Sequence, residues 1–361
     1  MPDIGTFCLT KNYTSFLEFC IVPFSSNLED DMFISNLFVL IYVIGLLINF
    51  AIIIVIYKND HLHNPMYLFL CNLSVVDMCY TTVIVPKLLY ILISGDNIVS
   101  FTQCSIQMFF FFLIGSTEDL LLFIMAYDRF VAICDPLHYH YVLSMKVCIL
   151  LIAFIWASGC LNSLLISISV SKMSFCHSII HHFFCDAKAL TKISCGGTEL
   201  FYIVMYVELV ILGLIPFACT LASYIKIIRV ILCIKSSDGR RKTFSTCSSH
   251  LIVLLIYYIT IATVVMMPSS KYSDLLEQIF TMLYSTVAPM VNPLIYSLRN
   301  KDIKKGLLSL NQTKRKATLD QQEKLAKPGT PTADINSSTS KLYRTVEVWL
   351  LKLISDNNFR V

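Results

Sequence analysis

Charge is what this sequence has little of. Only 14% of its 361 residues are Asp, Glu, Lys or Arg, while 56% are hydrophobic and the mean hydropathy is +0.69. A soluble domain usually carries about 25% charged residues. So little charge excludes a single water-soluble core and makes lipid the expected solvent. The net charge of +4 is mild and argues against a nucleic-acid partner. No basic segment leads into a short apolar core and a small-residue cleavage site ahead of residue 32, so a cleavable signal is not expected and the first apolar run should direct insertion. The two halves share no interrupted short helices in matching positions, the pattern of many transporters. No activated nucleophile and no closed set of metal ligands is present, so an enzyme is not expected. Most of the fourteen cysteines, including Cys71, Cys79, Cys134, Cys148, Cys160, Cys219 and Cys247, lie in apolar runs, where a free thiol behaves as a small hydrophobe.

Long apolar runs are what the sequence does have. A helix needs about 20 mostly apolar residues to cross the bilayer core. Seven runs qualify, at residues 32–57, 65–90, 105–134, 147–170, 200–232, 244–267 and 275–298. The segments after spans 1, 3, 5 and 7 hold Lys58, Lys146, Lys235, Arg240, Arg241, Lys242, Arg299, Lys301, Lys304 and Lys305, whereas residues 1–31 hold only Lys11 against five acids. Bases collect on the cytoplasmic side, so the N-terminus is expected outside and the C-terminus inside. The sequon at Asn12 then falls outside, where it can accept a glycan. From about residue 311 the composition turns polar, and residues 311–361 read as a disordered cytoplasmic tail. The apolar patch VEVWLLKLI near its end reads as a stray hydrophobic stretch, with an interfacial helix as the alternative.

A few charges stand inside the spans. Intramembrane acids are costly and mark function by default. Asp77 and Glu118 should face the bundle interior, and Asp119 points about 100° away from Glu118 on the same helix. Two neighbouring carboxylates raise one apparent pKa, so a shared proton is one reading and a hydrogen-bond network with Asn49 and Asn292 is the other. Glu208 lies in the outer part of span 5, and Asp128 and Arg129 close span 3, with the helix-blocking Pro136 seven residues after Arg129.

The stretch MAYDRFVAICDPLHY, residues 125–139, resembles the signature of olfactory receptors within the rhodopsin-like G-protein-coupled receptors. LHNPMYLFLCNLSVVD, SYIKIIRVIL, KTFSTCSSH and PMVNPLIYSLRN follow at the start of the second helix and at the ends or starts of the fifth, sixth and seventh, in the family's order. The resemblance covers about residues 28–310. It departs at Phe130, Ile48, Ile259 and Asp119, and in a longer tail.

The resemblance implies an all-α seven-transmembrane helix bundle in the cell membrane. Residues 1–31 would be its extracellular N-terminus, 32–298 the receptor domain, 299–310 a short amphipathic membrane-surface helix and 311–361 the cytoplasmic tail. It implies a small, mostly apolar odorant in the outer half of the bundle. The matching pocket positions are Phe111, Phe112, Gly115 and Ser116 on span 3 and Glu208, Leu209 and Leu212 on span 5. On spans 6 and 7 they are Tyr258, Ile261, Ala262, Val265, Met282 and Ser285. Glu208 would favour an amine or a hydroxylated ligand, or simply bond a neighbouring hydroxyl such as that of Tyr206. The family's partner is a heterotrimeric G protein of the stimulatory olfactory type, with Asp128, Arg129, Tyr224, Asn292, Pro293 and Tyr296 carrying activation. Asn49, Asp77 and Glu118 would form an interior polar site for a sodium ion or shared proton, and no other cofactor is implied. The family pattern pairs Cys104 with Cys185 and Cys176 with Cys195. That pairing leaves His177, His181 and His182 no thiolate partner for a metal, so none is expected. A chemosensory role outside olfaction, and a transporter with Asp77 and Glu118 as a proton relay, are the competing readings.

Overall fold

The computed structural model describes residues 18–23, 28–237, 240, 247, 251–252, 254–255, 257–260, 263, 271–290, 292, 303 and 306. Five helical stretches among them are long and apolar enough to cross a membrane: Met32–Lys58, Pro65–Ser94, Phe101–Cys134, Met145–Ser171 and Glu199–Cys233. Helix α1 (Leu28–Lys58) leads into α2 (Pro65–Ser94), α3 (Phe101–Cys134), a single turn α4 (Tyr139–Val142) and α5 (Met145–Ser171). The fifth span is α7 (Glu199–Glu208), a π-helical segment Leu209–Leu214 and α8 (Ile215–Cys233). Helical residues between 247 and 263 belong to the sixth span. Helix α9 (Lys271–Met282) and a second π-helical segment, Leu283–Val287, belong to the seventh. The fold is an all-α seven-span bundle. Asn12, Ile261, Ala262, Val265, Pro293, Tyr296 and the tail 311–361 lie outside the described residues.

Local chemistry sets the helix ends. Asn64 accepts a hydrogen bond from the Tyr67 amide at 3.4 Å, and Pro65, pre-set for a helical φ, starts α2. Gly95 ends α2 at φ +69°, a left-handed C-cap that a side chain would strain. Helix α3 starts four residues earlier than its apolar run predicts. Ser100 and Gln103 form a reciprocal capping box, each side chain bonding the other's amide at 3.2 Å, and this draws Phe101–Cys104 into the helix.

Helix α3 is the central element, packed against α2, α5 and α8. Its approach to α5 needs Gly159, where a Cβ would stand 2.6 Å from Thr117 Oγ1 and 2.8 Å from the Leu113 carbonyl. Small residues permit such close backbones in membranes.

Short strands cap the outer end. Strand β1 (Glu18–Ile21) pairs antiparallel with β2 (Ile98–Ser100) and parallel with β4 (Ile179–Ile180). Strand β3 (Ser174–Phe175) pairs with β5 (Ser194–Gly196), and α6 (Ala187–Ile193), capped by Asp186, lies between β4 and β5. Cys104 is bonded to Cys185 with Cα atoms 5.2 Å apart, and Cys176 to Cys195 at 5.7 Å. A second apolar cluster, including Phe19, Ile21, Val99, Met108 and Ile180, fills the space beneath the cap.

Candidate functional site

Under the cap, the loop between spans 4 and 5 lowers Phe184 onto the bundle. Its ring lies 4.7 Å from that of Phe111 on α3, which in turn lies 5.2 Å from Tyr80 on α2. The backbone amide of Cys185 donates to Gln107 Oε1 at 3.1 Å, so the bridge and this bond hold the loop to α3 at adjacent turns. The loop also docks on the seventh span. Lys188 and Lys192 of α6 flank the buried Glu277 carboxylate at 3.0 and 3.1 Å, and Gln278 donates to the His181 carbonyl. His182 is buried between the rings of Phe183 and Phe184, each 4.7 Å away, and both its ring nitrogens lack a partner among the described residues. Burial holds this imidazole below its ordinary range, against the pull of Asp186 and Glu277.

The pocket positions read from the sequence are distributed over this region. Phe111 and Ser116 are buried, and Phe112 and Gly115 are partly so. Ser116 lies one turn beyond Phe112 and donates to its carbonyl at 2.7 Å. Tyr258 of span 6 meets Phe217 of α8 edge-on at 4.8 Å. Ser285 is buried and donates to the Thr281 carbonyl. The fifth span departs from the expected regular spacing. The π-helical segment Leu209–Leu214 begins right after Glu208, and its i→i+5 bonding rotates the following residues.

Glu208 finds its partner on a helix that the sequence did not single out. Asn162 of α5 donates from Nδ2 to Glu208 Oε1 and is also 2.9 Å from Ser116 Oγ, linking spans 3, 4 and 5. Glu208 Oε2 is buried without a partner among the described residues, and Tyr206 is exposed and takes no part. A lone amide in the otherwise apolar fourth span was the signal in the sequence for Asn162. Asp119 is also accounted for: its Oδ1 accepts from the Tyr257 hydroxyl at 2.5 Å, tying span 3 to span 6.

Deeper in the bundle, Asp77 is 1% and Glu118 0% exposed. None of their four carboxylate oxygens has a hydrogen-bond partner among the described residues. Glu118 and Asn292 are the nearest influences on Asp77, with no hydrogen bond closed between Asn292 and the acid. Asn49 joins span 1 to span 7 by donating to the Gly45 and Pro289 carbonyls at 3.1 and 3.4 Å, and its own oxygen stays unbonded. Unsatisfied buried acceptors are costly. Hard oxygen atoms without donors are the chemistry that suits a small cation or a proton.

At the end of α3 away from the capping strands, Asp128 is paired through both its oxygens. Arg129 donates to Asp128 Oδ2 from Nε at 3.1 Å and from an η nitrogen at 2.8 Å. The Tyr139 hydroxyl of α4 donates to Asp128 Oδ1 at 2.7 Å. Burial and the adjacent Asp128 carboxylate hold the Tyr139 phenol protonated, its pKa well above the ordinary value. Tyr224 of α8 is buried within electrostatic range of Arg129. Lys226 sits 5.6 Å over the Phe130 ring, the position where the family has a tyrosine.

A sequence profile described as olfactory receptor matches residues 38–314. Human olfactory receptor 1L4 is 43% identical over 303 residues, which is 83% of this chain and 97% of the relative. Human olfactory receptor 1L3 is 42% identical over 301 residues, 83% of this chain and 93% of the relative. Human olfactory receptor 1M1 is 40% identical over 304 residues, 83% and 96% of the two chains.

Proposed function

The chain belongs to the olfactory receptor family, a family of multi-pass cell-membrane receptors and not enzymes, and from that premise we propose how it works. It binds a small, mostly apolar odorant in the outer half of the bundle, between Phe111, Phe112, Gly115 and Ser116 of span 3 and residues of spans 5 to 7. Binding shifts a pre-existing equilibrium towards a state with an open cytoplasmic face. That state engages a heterotrimeric G protein of the stimulatory olfactory type and raises cyclic AMP. Residues 1–31 lie outside, with Asn12 glycosylated. Residues 299–310 lie on the membrane surface, and 311–361 form the cytoplasmic tail.

The observation that carries this reading is the closed set of Asp128, Arg129 and Tyr139 at the end of the central helix. A partly buried guanidinium held through two nitrogens by a carboxylate that Tyr139 also fixes is a latch: moving α3 against α4 breaks the Tyr139 bond and loosens the acid's hold on Arg129. Tyr224, Asn292, Pro293 and Tyr296 complete the activation set. Asp77, Glu118 and Asn49 supply oxygen atoms for a sodium ion or a shared proton. Such a cation neutralises the buried acids and favours the resting state, as any ligand of one state does.

The test is cyclic AMP in cells expressing the full chain with that G protein, screened with alcohols, aldehydes, amines and acids. At least one class raises cyclic AMP in the wild type and none does in Arg129→Ala at equal surface level. Silence of a surface-expressed wild type contradicts the reading.

A further inference from the structure

Taking the outer-half odorant site of the proposed function as given, we propose that its ligand class is a protonated primary alkylamine, held by the half-satisfied carboxylate of Glu208 and favoured by the negative charge of Asp119. Glu208 comes to the site half-satisfied. Asn162 covers Oε1 at 2.9 Å, while Oε2 is buried and has no partner among the described residues. The Asn162 amide nitrogen is shared with Ser116, a pocket position, so the half-used carboxylate and a hydroxyl meet at one amide. Asp119, held in place by Tyr257, lies close enough for the Glu208 charge to act on it.

The second observation is Glu118. It is fully buried, both its oxygens are unpartnered, and its charge and that of Asp119 act on the same phenols, Tyr80 and Tyr257. With Asp77 the interior therefore carries four acids, and among the described residues no Lys or Arg pairs with any of them. Lys87 of span 2 is turned over the Tyr90 ring instead. Buried carboxylates need a counter-charge. A primary ammonium brings three N–H donors and a positive charge. Its alkyl chain suits the rings of Phe111 and Phe112, whose faces also attract cations. A neutral alcohol offers one donor and no charge, and a carboxylate is repelled by the same wall.

The experiment uses the purified full chain in detergent, with thermal unfolding read against butylamine to octylamine and the alcohols of equal length, beside cyclic AMP in cells. The amines raise the unfolding temperature of the wild type at concentrations where the alcohols do not. Glu208→Gln raises the amine concentration needed by about tenfold or more, and Glu208→Asp retains part of the response. Asp119→Asn, which still accepts from Tyr257, weakens the amines in the same direction and covers the case in which Glu208→Gln fails to fold. Alcohols as effective as amines, an amine response unchanged in both variants, or no amine shift in folded wild type would overturn the assignment. An amine-dependent shift without cyclic AMP supports the ligand class and fails the signalling reading, so the two are separable.

Discussion

Helix α3 carries acids at two depths, and the two are treated in opposite ways. At the end of the helix away from the capping strands, Asp128 is wholly buried yet both its oxygens are used, one by Arg129 and one by Tyr139. In the middle of the membrane, Glu118 is equally buried and neither of its oxygens is used by a described residue. The same side-chain chemistry on the same helix is closed in one place and open in the other. A closed acid stores a conformation, because it must be broken to move. An open one waits for something that arrives from outside the chain, a cation or a proton.

The largest effect should come from breaking the closed site. Asp128→Ala removes both bonds to Arg129 and the one from Tyr139, each charge-assisted bond being worth about 1.5–3 kcal/mol to the resting arrangement. It should lower the unfolding temperature and raise basal cyclic AMP. The open site should respond with the other sign. In sodium-free buffer, Glu118→Gln removes an uncompensated buried charge and should stabilise the purified receptor by about 1–3 kcal/mol, read as a higher unfolding temperature. A destabilised Glu118→Gln in that buffer would mean that the acid has a partner after all. Sodium sharpens the contrast further. At a tenfold excess over its Kd it should stabilise the wild type by about 1.4 kcal/mol, and it should do nothing for Glu118→Gln.

The smallest effect lies above both sites, at His182. Its folded-state pKa is depressed by burial, so the loop's stability is complete above the ordinary histidine value of about 6.5 and falls as pH drops below it. Unfolding temperature should therefore fall between about pH 7.5 and about pH 5.5, and His182→Phe should flatten that slope.

Much of the architecture was legible because a lipid solvent leaves so few options. Mostly apolar runs of sufficient length marked the spans, and the few acids inside them stood out against that background. Which acid meets which partner was not legible. Periodicity gives the face of a helix but not the neighbour opposite, so Asn162 and Glu208 could not be matched across 46 residues. The π-helical segment that follows Glu208 was not legible either, since no local residue pattern marks it. Tyr139 closed the quoted motif without a role, since nothing local requires a turn 11 residues on to fold back to Asp128. Strand β1 has four residues, too few for an alternation to register, and depends on pairing with distant β2 and β4.

The most direct measurement is surface-normalised basal cyclic AMP of Tyr139→Phe, which removes a single hydrogen bond from Asp128 and nothing else. If α3 ends in a latch, basal cyclic AMP should rise about fivefold, the effect of roughly 1 kcal/mol on the equilibrium, and adding Arg129→Ala should abolish the rise. Basal signalling equal to that of the wild type, at equal surface level, would contradict the latch.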